Sequence, residues 1–223
     1  RTLRGKVAVV PAIAWATTYA PLHQHGMRLR VVDIDIDTLN IDPRIVRNAI
    51  CPETALVVAA NILGNPCDLE PLRRMCETLG IFLLEDNCES LGASISGRPC
   101  GAWGDIGTHS FFFSHQLATA EGGMLVTNNR LLADLARCLR AHGWARDLPA
   151  DSVLHDRAED EFAESYRFLM PGYNVRPTEI AAAVGLVQLG KLDAALEQRQ
   201  RNAATFKRLF EGDLRFRTQI ELP

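Results

Sequence analysis

Short apolar runs alternate with amphipathic stretches through the first half of the chain. Val7-Ala8-Val9-Val10 and residues 29–32, 55–60 and 81–84 are brief and β-prone, and none shows the strict polar alternation of a strand with one wet face. Between them, residues 15–25, 42–50 and 68–79 carry helical spacing, with Asp68 expected to cap the third helix and Gly80 to stop it. Strands apolar on both faces, alternating with helices, predict an α/β domain with a mostly parallel central sheet covered by helices on both sides. Ligands of such sheets lie beyond the carboxyl ends of the strands. The residues that follow each run, 11–15, 61–66 and 85–89, are therefore the expected functional rim.

Residues 106–113 and 124–127 are further strand candidates, and 131–142 reads as a helix that stops at Gly143. Residues 151–164 are acidic and weakly periodic, which predicts an exposed excursion. Residues 177–210 predict a long helical region. Pro177 suits its first turn, Ile180, Val184, Val187 and Leu192 mark an apolar face, and Gly185 and Gly190 suggest a bend or a close contact. This region is expected to lead from a large domain (1–185) to the beginning of a smaller one (186–223). The chain starts at Arg1 and enters a strand almost at once, and it ends just after another strand-like stretch, so both edges are expected to be cuts through a larger protein.

Composition narrows the function classes. The net charge is -3, the arginines are scattered, and no run alternates basic and aromatic residues, so no nucleic-acid partner is expected. No apolar run has the length of a membrane span. The six cysteines, Cys51, Cys67, Cys76, Cys88, Cys100 and Cys138, form no CxxC pair. They read as reduced, mostly buried thiols in a cytoplasmic protein.

The rim carries the candidate chemistry. Asp86 follows a buried strand, where a carboxylate needs a partner. It could cap a helix or form a buried salt link, or it could bind a protonated ring nitrogen. Trp15 could be plain core or a flat platform under an aromatic ring. The densest polar cluster is 108–123. Three phenylalanines predict an apolar wall, with Ser110 on one side and Ser114-His115 on the other. A hydroxyl there could hold a phosphate. His115 could be structural or could move a proton near neutral pH. Glu121-Gly122-Gly123 leaves room for backbone to approach a ligand. In 171–177, Asn174 is a possible anion or amide contact and Arg176 a possible salt-bridge partner, both unspecific on spacing alone.

Five segments, taken together and in order, are similar to one family. They are "VVPAIAWATT" (9–18), "VVDIDIDTLNIDP" (31–43), "LLEDNCESLGA" (83–93), "GDIGTHSFFFSHQLATAEGG" (104–123) and "PGYNVRPTEIAAAVGLVQLGKLD" (171–193). The chain resembles the DegT/DnrJ/EryC1/StrS family of sugar aminotransferases and dehydratases, whose fold is that of the fold-type I pyridoxal-phosphate enzymes. The family's aminotransferases follow the serine and phenylalanine run with a cofactor-linking lysine. His115 stands at that position, and the only lysines are Lys6, Lys191 and Lys207. Histidine there resembles the 3-dehydratase branch that makes 3,6-dideoxysugars. Within it, "YRFLMPGYNVRPTE" (166–179) is most similar to the members that act on GDP-linked 4-keto-6-deoxymannose.

The resemblance implies pyridoxal 5'-phosphate and pyridoxamine 5'-phosphate as cofactors, a nucleotide-linked 4-keto-6-deoxyhexose as substrate, and glutamate as amine donor. By the same likeness Trp15 would stack on the ring, Asp86 would pair with its nitrogen, and Ser110 would hold the phosphate. Asn174 would reach the cofactor of the neighbouring subunit in a homodimer with shared active sites. Glu89 stands where family aminotransferases usually have glutamine, beside the cofactor. His115 would be the catalytic base. The other dehydratase type uses an iron–sulfur cluster. Residues 140–161, near its expected ligands, contain no cysteine, so no cluster is expected. The family also has a glycine/serine phosphate turn before the first strand seen here and a small C-terminal domain, and both are expected to lie outside this chain.

Overall fold

The structure is a computed structural model that describes residues 2–211. Its elements are β1 (Val7–Pro11), α1 (Ala16–Gln24), β2 (Arg28–Val32), α2 (Pro43–Ala49), β3 (Thr54–Ala60), α3 (Leu69–Leu79) and β4 (Phe82–Asp86). A small hairpin, β5 (Ser94–Ile95) and β6 (Arg98–Pro99), precedes β7 (Ile106–Ser110) and β8 (Gly123–Val126). The rest is helical: α4 (Arg130–Arg140), α5 (Glu161–Ser165), α6 (Glu179–Leu189) and α7 (Leu192–Phe210). The six-stranded sheet has the order β2-β1-β3-β4-β7-β8. Every pairing is parallel except β7 with β8, which is antiparallel. The expected α/β fold with a mostly parallel sheet is therefore present. The strand-like stretch near Pro223 lies outside the described residues.

The apolar runs become the central strands because both of their faces are covered. Val9, Val57 and Leu83 pack on one face against Val46 of α2 and Leu69, Leu72, Met75 and Cys76 of α3. Ala8, Val10, Leu56 and Val58 pack on the other, with Tyr19 and Leu22 of α1 against them. Each fully buried leucine of α3 contributes about 1.5–3 kcal/mol. Cover is incomplete at the edges: Val31 of β2 and Met124 and Leu125 of β8 are exposed. Cys67, Cys76, Cys100 and Cys138 are buried, Cys51 and Cys88 half-buried, and all six are free.

Several local expectations are corrected. Asp68 stands at the N-cap of α3, but its side chain bonds no helix amide. Asp42, which accepts from the Arg44 amide, does cap α2. Pro177 lies outside α6, because Thr178 is the cap and its hydroxyl accepts from the Ala181 amide. The long helical region is two helices, broken at Gly190-Lys191. At Gly185 a Cβ would lie 3.1 Å from Thr119 Cγ2, so that glycine marks a close contact. The apolar face of α6 is open in this chain, with Ile180 79% and Val187 59% exposed. The excursion over 151–164 is mostly exposed, as expected, and is anchored at its start, where Asp134 accepts from the Ser152 hydroxyl (2.8 Å) and the Val153 amide (3.2 Å). Among the described residues no helix is long and apolar enough to cross a membrane.

Candidate active site

A cavity of about 400 Å³ opens at the carboxyl ends of β1, β3, β4 and β7. Ala14 and Trp15 follow β1, Asn61 follows β3, Asp86 closes β4 and Ser110 closes β7. Cys88 and Glu89 line it from the turn after β4, and Phe112, Ser114, His115 and Glu121 from the loop after β7. The expected rim is the observed one. Of the six residues singled out, the fold brings together Trp15, Asp86, Glu89, Ser110 and His115.

Strand alternation decides which carboxylate serves the cavity. Asp86 faces it, whereas Glu85 turns to the opposite face and is fully buried. Glu85 accepts from the amides of Gly101 (2.7 Å), Trp103 (2.7 Å) and Gly104 (2.5 Å), which fastens the 100–104 loop under the sheet. Asp86 is half-buried. Its Oδ2 accepts from the Thr18 hydroxyl at 2.7 Å and its Oδ1 from the Cys88 amide at 3.2 Å. No ion pair to Asp86 occurs among the described residues, so it is not a buried salt link. Its field is felt locally: burial and then Asp86 raise the Tyr19 phenol, and burial followed by Asp86 pushes the Cys88 thiol up to about 12.

Trp15 is the N-cap residue of α1 and 77% exposed, so it stands at the cavity mouth and is not core. Ser110 Oγ accepts from the Phe112 amide at 3.2 Å, which leaves its O–H able to donate. His115 is half-buried, with its ring edge-on to Phe112 at 6.2 Å and its amide donating to the Phe112 carbonyl at 3.0 Å. The Glu89 carboxylate accepts from the Leu63 amide at 2.5 Å, and its carbonyl accepts from Gln116 Nε2. Glu89 thus ties the turn after β3 to the loop that carries His115.

The phenylalanine wall is corrected to one member. Phe112 lines the cavity, while Phe113 is 70% exposed, because the chain leaves the strand at Ser110. Glu121 lines the cavity, and Gly122 and Gly123 do not. A Cβ on Gly122 would meet Thr119 Oγ1 at 2.6 Å, and one on Gly123 the His109 carbonyl at 3.0 Å, so they make room for the protein's own chain. Asn174 lies away from the cavity, exposed and bridged to Ala141. Arg176 contacts His142 Nε2 at 3.4 Å rather than a carboxylate.

Sequence reasoning missed Thr18 and His109. Thr18 is three residues past Trp15, and only the fold brings it to Asp86. His109 is 8% exposed with Nδ1 unpartnered, and burial lowers its pKa.

The family model described as "DegT/DnrJ/EryC1/StrS aminotransferase family" matches residues 2–221. The chain belongs to this family. It is 47% identical over 210 residues to GDP-4-keto-6-deoxy-D-mannose 3-dehydratase of Yersinia pseudotuberculosis, covering 94% of this chain and 53% of that protein. A solved structure of the E. coli enzyme of that name with bound hydrated PLP is 42% identical, with a TM-score of 0.90 over 94% of this chain and 54% of that one. A structure of GDP-4-keto-6-deoxymannose-3-dehydratase with a trapped PLP–glutamate geminal diamine is also 42% identical, with a TM-score of 0.91 over 95% of this chain and 55% of that one. The chain spans about half the length of these family members and has their fold over that span.

Proposed function

We propose that the chain supplies most of the cofactor-binding domain (1–185), with the connecting helix and the beginning of the small domain (186–223), of a pyridoxal 5'-phosphate/pyridoxamine 5'-phosphate-dependent 3-dehydratase. Its substrate is a nucleotide-linked 4-keto-6-deoxyhexose, and glutamate is the amine donor. One observation carries the reading. His115 lines the cavity and no lysine does, and by resemblance His115 stands where the family's aminotransferases have lysine.

The residues present fit the cofactor. The cavity is within the range of small-ligand sites. It offers a flat indole at its mouth, a carboxylate without a cation, and a hydroxyl with a proton to give. Trp15 would stack on the ring, Asp86 would accept from its nitrogen, Ser110 would donate to the phosphate, and Glu89 would lie beside it. When bound, the cofactor supplies an amine for the C4 ketone and a protonated ring that takes up an electron pair. An imidazole nitrogen of His115 would serve as the base, accepting a proton and giving one to the departing C3 hydroxyl of the sugar. Imidazole moves protons without holding the cofactor as lysine would. Glutamate is the reductant: the balanced products are a 3-deoxy-4-keto sugar, ammonia and 2-oxoglutarate.

The exposed apolar face of α6 supports a homodimer, in which Asn174 would reach the partner's cofactor. Residues 140–161 lack cysteine, which supports turnover without an iron–sulfur cluster. The composition supports a cytoplasmic enzyme. The test is mass spectrometry of sugars after the full-length protein is incubated with pyridoxal phosphate, glutamate and candidate nucleotide-linked 4-keto-6-deoxyhexoses. A product lacking one oxygen, formed with one ammonia and one 2-oxoglutarate, is expected. An aminated sugar would refute the reading.

A further inference from the structure

Asp86 is held by a residue that none of the roles above includes. A carboxylate rotates readily about its last torsion, which has broad minima. In the structure both of its oxygens are engaged. The Thr18 hydroxyl donates to Oδ2 at 2.7 Å across 68 residues of sequence, and the Cys88 amide donates to Oδ1 at 3.2 Å. An ionised carboxylate has about four acceptor sites, so each oxygen can still accept from a ring N–H. Two donors on different oxygens fix the plane in which that acceptance occurs.

Thr18 is itself fixed. It lies in the first turn of α1, where its amide donates to the Trp15 carbonyl at 2.9 Å. The next residue, Tyr19, anchors the same turn to the end of β1 through its hydroxyl and the Pro11 carbonyl at 2.7 Å. One helical turn therefore carries both the indole at the cavity mouth and the hydroxyl on the cavity carboxylate. We infer that Thr18 is a positioning residue: it orients Asp86 toward a protonated pyridine nitrogen and couples that contact to the placement of Trp15.

This inference rests on the cofactor reading above, so the experiment separates the two. The full-length apoprotein is titrated with pyridoxal phosphate to obtain its dissociation constant, and the ring-nitrogen ¹⁵N shift of labelled cofactor reports pyridine protonation. Wild type is compared with Thr18→Val, which keeps shape and removes the donor, with Thr18→Ser, which restores it, and with Asp86→Asn. Thr18→Val should weaken binding about tenfold, the loss of one hydrogen bond to a charged group. It should also move the ¹⁵N shift toward the unprotonated ring, and Thr18→Ser should return both to wild type. If Thr18→Val does not fold, Thr18→Ala carries the same expectation. Wild-type behaviour of Thr18→Val beside a changed Asp86→Asn overturns the role of Thr18 and leaves the cofactor reading standing. Weaker binding with an unchanged ¹⁵N shift, or no rescue by serine, reduces Thr18 to packing and also overturns it. No pyridoxal phosphate binding by wild type, or no effect of Asp86→Asn, overturns the cofactor reading itself.

Discussion

Gly107→Ala tests whether the layer beneath the cavity is as tightly set as its geometry requires. Gly107 is in β7, opposite Glu85 on β4 and Val126 on β8. A Cβ there would stand 2.4 Å from the Gly101 carbonyl oxygen, 2.5 Å from its Cα and 2.8 Å from its carbonyl carbon. Carbon atoms pack at about 3.5–4.0 Å, so the 100–104 loop would have to retreat by about 1 Å. That retreat breaks the 2.7 Å bond from the Gly101 amide to the buried Glu85 carboxylate. Losing a hydrogen bond to a charged group costs about 1.5–3 kcal/mol, and overpacking adds about 1–3 kcal/mol. The expected loss is thus about 2.5–6 kcal/mol, read from denaturant unfolding of the full-length protein. Trp103, buried in the same loop, should report the retreat as a shift in its emission. Gly190→Ala is the control. Gly190 has φ −65°, and the nearest atom to its Cβ is 3.7 Å away, so it should stay within about 1 kcal/mol of wild type. A loss below about 1 kcal/mol for Gly107→Ala, with unchanged emission, would refute the argument.

Three further outcomes are expected. His115→Asn should keep pyridoxal phosphate affinity but slow exchange of the cofactor's methylene proton with solvent deuterium, in the presence of 4-keto substrate, by roughly 10²–10⁴-fold; elimination at the wild-type rate would move the base elsewhere. His115→Lys should let borohydride fix the cofactor to the peptide bearing residue 115, whereas wild type should show no such adduct. Burial lowers the His109 pKa, with Asp86 opposing. Its stabilising share is therefore complete above the unfolded value of about 6.5 and is lost as pH falls through the folded one. Stability of wild type should drop on going from pH 7.5 to 5 more than that of His109→Asn, measured by urea unfolding, and parallel profiles would exclude His109 as the cause.

The parallel sheet was legible because burial on both faces leaves a direct mark: Val7-Ala8-Val9-Val10 and Ala55–Ala60 have no room for polar alternation. The rim was legible because topology places ligands past strand ends, and Trp15, Asp86, Glu89, Ser110 and His115 do meet there. Long-range partners were not. Thr18 finds Asp86, Leu63 finds Glu89, and Glu85 finds three amides, each across a gap that no local pattern spans. Competing local signals also misled. Pro177 reads as a first-turn residue, yet the Thr178 hydroxyl sets the start of α6. The phenylalanine run reads as a strand, but the chain leaves the sheet at Ser110 and sends Phe113 outward.

The same alternation that hid these contacts explains how the site is supported. On β4, Glu85 points down into the 100–104 loop and Asp86 up into the cavity. On β7, His109 is buried while Ser110 lines the cavity. Each strand thus gives one residue to the fold and its neighbour to the site, with the backbone between them fixed by pairing to the adjacent strand. Asp86 and Ser110 are placed by strands that cannot shift without disturbing Glu85 and His109 beneath. His115 has no such partner layer: it is in the loop beyond β7, held by the Phe112 carbonyl and, through Gln116, by the carbonyl of Glu89. Asp86 and Ser110 are therefore placed by paired strands, whereas Glu89 and His115, the residue proposed to move protons, stand in the turns beyond β4 and β7. It follows that exchanging the residue at 115 should alter chemistry with little effect on stability, whereas changes one residue away from Asp86 or Ser110 along their strands should reach the site through the fold.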